Sequence, residues 1–165
     1  MKIKVFSVGG TIDKVYFDQL SEYQVGLPNV QEILDSLPIA FEYEIESLLR
    51  KDSLDMDAAD RALLRDRVAA DSCRQIIVTH GTDTMIDTGQ ALSAIGGKCI
   101  VLTGALEPAR FKSSDAVFNV GVAVGAVSSL PDGVYIAMNG RIFDPFKCRK
   151  NRERYRFEDL NGDEG

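Results

Sequence analysis

Consecutive apolar residues in short runs constrain this chain more than any other feature. QIIVTH (75–80), KCIVLTG (98–104) and GVYIAM (133–138) each read as a strand buried on both faces, and IKVFSV (3–8) is a similar run that stops at Gly9-Gly10. Helical patterns fall between them. Residues 29–36 form a short amphipathic segment stopped by Pro38, and Asp57 is placed to cap a helix over 58–70. Residues 82–95 read as a helix ended by Gly96-Gly97, residues 114–127 as a helix rich in small side chains, and 39–49 as a partly alternating strand. Buried strands separated by helices indicate a mainly parallel sheet covered on both faces. The expectation is one doubly wound α/β domain spanning 1–165, without repeats or linkers.

In such sheets ligands bind beyond the carboxyl ends of the strands. The loops there are 9–27, 80–83 and 104–114, and they hold most of the unusual polar residues. In VGGTI (8–12), paired glycines allow a sharp turn and close approach to a ligand, and Thr11 presents a hydroxyl. GxGxxG and GxxxxGK[ST] are both absent, so nucleotide binding fits poorly. HGTDT (80–84) repeats the arrangement, with Thr82 followed by Asp83 at an expected helix start, where free N–H groups favour negative charge. Either threonine alone reads first as a turn or cap residue. Two of them, at the ends of separate core strands, shift the balance towards chemistry. His80, the one histidine, ends a buried strand without a partner pattern, so it is read as fixing the loop and not as a base.

Composition removes several classes. With 19 basic and 25 acidic residues the net charge is −6, which argues against nucleic acid as partner. The basic run Lys147, Arg149, Lys150, Arg152, Arg154 and Arg156 could attract an acidic partner. It reads better as a strand or irregular tail whose alternate positions face solvent or meet acidic groups. Cys73, Cys99 and Cys148 show no ligand spacing, so no metal is expected. No apolar stretch has the length of a signal core or membrane span, and a cytoplasmic protein without membrane contact is expected.

Taken together, VGGTI and HGTDTM (80–85) resemble the two signature segments of bacterial-type L-asparaginases. YQVG (23–26), SLDM (53–56), VLTGA (101–105) with Ser114, Asp115 and Asn119, and VYIAMNGRIFDP (134–145) extend the resemblance over nearly the whole chain. It implies hydrolysis of the side-chain amide of L-asparagine through a threonine acyl-enzyme, without a cofactor. Thr11 would attack, with Tyr23 near its hydroxyl as proton acceptor, Tyr16 competing for that role. Thr82, Asp83 and Lys150 would form a second polar group that activates water or moves protons. Backbone N–H groups of Thr82 and Ala105 would hold the oxyanion, Ser53 the substrate carboxylate and Asp83 its ammonium. Thr11 is placed ahead of Thr82 as nucleophile, and the order stays open.

The chain departs from the family pattern in three ways. Leu54 stands where a polar residue normally follows the loop serine, the surroundings of Lys150 are unusually basic, and the chain is expected to be a short form lacking the C-terminal domain. A homo-oligomer is expected to supply the missing wall, because an open site admits water and weakens polar contacts. Competing readings are hydrolysis of another amide, such as glutamine or within an amidotransferase, and a catalytically silent amino-acid-binding module.

Overall fold

The computed structural model describes residues 1–161, so the last four residues of the expected 1–165 domain lie outside the described residues. From the amino terminus come β1 (Lys2–Gly9), a 3₁₀ turn (Thr11–Asp13), the hairpin β2 (Lys14–Phe17) and β3 (Glu22–Val25), α1 (Asn29–Asp35) and β4 (Glu42–Lys51). A second 3₁₀ turn (Ser53–Asp55), α2 (Ala58–Ala70), β5 (Gln75–Thr79), α3 (Met85–Leu92) and β6 (Cys99–Thr103) follow. Next are α4 (Ala116–Ser129), β7 (Gly133–Met138), β8 (Arg141–Phe143) and a second hairpin, β9 (Cys148–Asn151) with β10 (Arg156–Asp159).

Six strands form one sheet in the order β4-β1-β5-β6-β7-β8, parallel except for the β7–β8 pair. The strand alternation of period two splits the apolar runs between two cores. Val5, Ile77 and Val101 pack with Val30 and Ile33 of α1 and with Val120 and Ala123 of α4. Phe6, Ile76, Val78, Ile100 and Leu102 pack with Leu64 and Val68 of α2 and with Met85 and Leu92 of α3. Uninterrupted apolar runs follow directly from this two-sided burial.

The chain runs from β1 outward to β4, then back across β1 to β5 and onward. The direction of winding therefore reverses between β1 and β5, and the loops that leave their carboxyl ends diverge around a crevice. The loops that carry Thr11 and Thr82 leave β1 and β5 at that point.

Local signals explain several boundaries. Asp57 caps α2 with a reciprocal capping box, its carboxylate accepting from the N–H of Asp60 and that of Asp60 accepting from the N–H of Asp57. The α3 helix is shorter than the expected 82–95. Its start is delayed because Thr84 donates its hydroxyl to the carbonyl of Ser53, which holds 80–84 as a loop. Past Leu92 the N–H groups of Ser93 and Ile95 turn to carbonyls three residues back, and the helix tightens and stops. The α4 helix begins two residues later than expected, where Ser114 Oγ accepts from the N–H of Ala116. The two small hairpins lie outside the main sheet, and apolar runs do not mark them.

Candidate active site

Backbone fits against backbone where three loops meet. Gly10 has φ +91°, and a Cβ there would lie 2.3 Å from the N of Gly81, so both conformation and space require glycine. A Cβ on Gly81 would in turn lie 2.6 Å from Ser53 Oγ. Thr11, Thr82 and Ser53 are thereby brought into one neighbourhood from the ends of β1, β5 and β4. The N–H of Gly10 also donates to the carbonyl of Lys51 at 2.9 Å, tying the first loop to the third.

Lys150 enters this neighbourhood from β9. Its Nζ donates to Thr82 Oγ1 and to Asp83 Oδ1, each at 2.8 Å. Arg152 donates to the same Asp83 oxygen at 3.1 Å. Lys150 foremost, and then Arg152, hold the carboxyl of Asp83 below the usual range, against the opposing effect of its partial burial. Asp83 lies two residues before α3 and does not cap it, and its carboxylate meets the two cations.

Ser53 is 1% exposed, and its Oγ has no hydrogen-bond partner among the described residues. A buried hydroxyl left open beside Gly81 is the kind of group a ligand satisfies. The backbone N–H groups of Thr82 and Ala105 likewise meet no acceptor among the described residues. The loop carrying Ala105 is held by Asp115, whose carboxylate accepts from the N–H groups of Leu106 and Glu107. Asn119 donates to Asp115 and to the carbonyl of Gly104.

His80 is fully buried, with Nδ1 2.6 Å from the carbonyl of Gly81 and Nε2 2.7 Å from Thr88 Oγ1. A carbonyl only accepts, so Nδ1 carries the proton and Nε2 accepts from Thr88, whose oxygen accepts in turn from Arg61 Nε. Burial pushes the ring down to about 4, in keeping with a neutral imidazole that braces the loop.

Thr11 is half-buried, and its hydroxyl has no partner among the described residues. Tyr23, expected near the Thr11 hydroxyl, has its ring engaged in aromatic contacts. It pairs across the β2–β3 hairpin with Tyr16, ring centroids 5.4 Å apart, and its other edge meets Phe111 at 5.8 Å. Its hydroxyl makes no hydrogen bond to Thr11 or to any other described residue. Aromatic packing on the hairpin holds the ring there. Leu54 is exposed beside Ser53.

Several supporting groups were not anticipated. Asp13 is 1% exposed and accepts from Ser7 Oγ at 3.0 Å and from the N–H of Asn29 at 2.8 Å. Burial pushes its carboxyl up to about 6 despite both bonds. Glu158 on β10 gathers Arg149, Arg154 and Arg156 together with Asn151. Hydrogen bonds from Arg156 and Asn151 bring it down to about 2. The basic run is thus a hairpin and not one strand: β9 sends Lys150 inward with the buried Cys148 on one face and meets Glu158 through Arg149 and Asn151 on the other, while Arg152 and Arg154 lie in the turn and Arg156 begins β10. Glu158, the acidic residue that closes the basic run, was the available signal.

Among the described residues no cluster of three or more His, Cys, Asp or Glu could hold a metal ion, and no helix is long and apolar enough to cross a membrane. The family model "Asparaginase, N-terminal" matches residues 2–158. The L-asparaginase 2 of Bacillus subtilis is 28% identical over 154 residues, covering 85% of this chain and 41% of that protein. A glutamyl-tRNA(Gln) amidotransferase component of Methanococcus vannielii is 44% identical over 71 residues, covering 42% of this chain and 17% of that protein. The solved thermostable L-asparaginase of Thermococcus kodakarensis superposes with a TM-score of 0.82 at 25% identity, over 98% of this chain and 52% of that one. The chain spans about half, or less, of the length of these relatives. By its profile, fold and loop architecture, the chain belongs to the asparaginase family and corresponds to its N-terminal domain.

Proposed function

We propose that this domain hydrolyses the side-chain amide of L-asparagine to L-aspartate and ammonia through a threonine acyl-enzyme. The observation that carries the reading is Lys150 Nζ held at 2.8 Å from both Thr82 and Asp83, beside the open hydroxyl of Ser53. In this scheme Thr11 Oγ attacks the amide carbon, its proton passes to the departing nitrogen, and ammonia leaves. Water then cleaves the ester, releasing the carboxylate and restoring the hydroxyl. The N–H groups of Thr82 and Ala105 take the oxyanion, and two such donors supply about 3–4 kcal/mol of transition-state stabilisation. Ser53 takes the carboxylate and Asp83 the ammonium. Lys150 donates to Thr82 Oγ1, which leaves the Thr82 proton free to order water. Tyr23 serves as proton acceptor only if the β2–β3 hairpin moves its hydroxyl towards Thr11.

The domain is read as cytoplasmic and as acting in a homo-oligomer on a small substrate, without cofactor. Three free thiols suit a reducing compartment. Hydrolysis of glutamine is the second reading, supported by the local identity with an amidotransferase component. One methylene of pocket size shifts discrimination by only ~1–3 kcal/mol. Ammonia release from both amides tests the proposal. Wild type is expected to turn over L-asparagine, while Thr11→Ala, Thr82→Ala, Asp83→Ala and Lys150→Met lose at least about a hundredfold. His80→Gln is expected to keep most activity. An inert wild type with intact fold favours the binding module, and full activity in Thr11→Ala removes it as nucleophile.

A further inference from the structure

Three carboxylates are buried among the described residues, those of Asp13, Asp60 and Glu158. Asp60 meets Lys51 and Glu158 meets arginines, whereas Asp13 is held by two hydrogen bonds and no cation. A desolvated carboxylate without a counter-charge costs stability, and such costs gather where function needs a fixed geometry. Asp13 ends the 3₁₀ turn that Thr11 begins. Its partner Asn29, 3% exposed, stands at the start of α1. The N–H of Asn29 donates to Asp13 Oδ1 at 2.8 Å, and its Nδ2 donates to the carbonyl of Ile12 at 3.1 Å. One residue thus grips the turn at two points.

The grip reaches the other loops. The Ile12 carbonyl also accepts from the N–H of Ala109 at 3.1 Å, four residues beyond Ala105, and Arg110 Nε donates to Asn29 Oδ1 at 3.4 Å. The Asp13 carbonyl accepts from the N–H of Gly26 at 2.7 Å and closes the root of the β2–β3 hairpin. Ser7 Oγ on β1 fixes the second carboxylate oxygen at 3.0 Å. The Thr11 hydroxyl has no partner among the described residues, so the residues that follow it set its place. We propose that Asp13 and Asn29 are positioning residues that hold Thr11 Oγ at a fixed separation from the oxyanion donor Ala105. This rests on the amide-hydrolase reading above and assigns what places the nucleophile in it. Both side chains are buried, so they act through Thr11 and not on substrate.

A nucleophile displaced by about 1 Å loses about a hundredfold in rate. Asp13→Ala and Asn29→Ala are therefore expected to lower kcat for L-asparagine at least about thirtyfold. KM should change less than about threefold, since Ser53 and Asp83 stand on other loops. Asp13→Asn keeps both bonds, Oδ1 accepting from Asn29 and Nδ2 donating to Ser7, and is expected to restore kcat to within about threefold of wild type. Asn29→Ala leaves the carboxylate and its backbone donor in place, and it carries the test if Asp13→Ala does not fold. Calorimetric binding of L-aspartate is expected to stay unchanged in every folded variant. Selectively labelled threonine methyls report on Thr11 directly, its resonance retained in Asp13→Asn and shifted or broadened in the alanine variants. Wild-type kcat in the alanine variants, equal impairment of Asp13→Asn and Asp13→Ala, or a parallel loss of L-aspartate binding overturns the inference. A wild type that releases no ammonia overturns the hydrolase reading instead. The positioning role then stands if the Thr11 resonance moves in the alanine variants alone, and falls if it does not.

Discussion

Two buried titratable residues, Asp13 and His80, brace the loops that bear Thr11 and Thr82, and they respond to pH in opposite directions. Burial pushes Asp13 up to about 6 from 3.8, so folding favours its protonated form. Its stabilising contribution is complete below about pH 3.8 and is lost as pH rises through 6. Burial pushes His80 down to about 4 from 6.5, so its contribution is present above pH 6.5 and is lost as pH falls through 4. Each is worth about 3 kcal/mol, and over the shared window they largely offset one another. Asp13→Asn removes one side of that balance. The amide oxygen still accepts from Asn29 and its nitrogen donates to Ser7. Urea unfolding is expected to show the variant gaining about 3 kcal/mol on wild type between pH 4 and 7. A difference that stays flat with pH would contradict this account. His80 illustrates what residue type alone conveys: its place before a glycine pointed to a brace. The hydrogen-bond chain through Thr88 and Arg61 was not legible, because both partners come from other segments.

At the scale of elements, the β9–β10 hairpin carries Lys150 and is tied to the core through Cys148 and Phe157. Lys150 pairs in register with the buried Phe157, which packs against Phe143 with centroids 6.2 Å apart. The N–H of Phe157 donates to Asn139 Oδ1 in the β7–β8 turn, and Asn119 accepts from the N–H of Asn139. A chain of side-chain amides thus connects the Ala105 loop to β10, the partner of the strand bearing Lys150. On the opposite face Glu158 offsets three arginines, which would otherwise repel one another along the hairpin. Glu158→Gln keeps the shape and removes the charge, so the hairpin is expected to lose its fixed register while the main sheet persists. Turnover should fall several-fold with the far-ultraviolet dichroism of the helices unchanged. Equal activity in wild type and variant would show that the clamp does not position Lys150. The same hairpin shows why elements differ in legibility. Buried strands announce themselves by apolar runs, whereas β9 and β10 are stabilised by ion pairs whose partners the run of arginines does not name.

Across the whole molecule, the mouth of the crevice is rimmed by exposed apolar groups. Tyr16, Tyr23 and Phe111 pack together on one side, and Leu54, 67% exposed, stands beside Ser53 on another. A neighbouring copy laid over this rim would exclude water and strengthen every polar contact inside. Small-angle scattering under assay conditions is expected to give at least twice the chain mass of 18.1 kDa. A fully active monomer would end the idea that a second copy closes the site. The doubly wound class, the strand runs, the Asp57 cap and the position of the loops beyond the strands' carboxyl ends were all determined by the sequence itself, since apolar periodicity and glycine placement act locally along the chain. Thr82 and Lys150 are 68 residues apart, and only the tertiary structure placed Arg152 on Asp83, left Ser53 Oγ open and left Tyr23 without a hydrogen bond to Thr11. Those outcomes depend on how separate loops pack at the reversal between β1 and β5, where contact is set by register and burial and not by any neighbour in sequence.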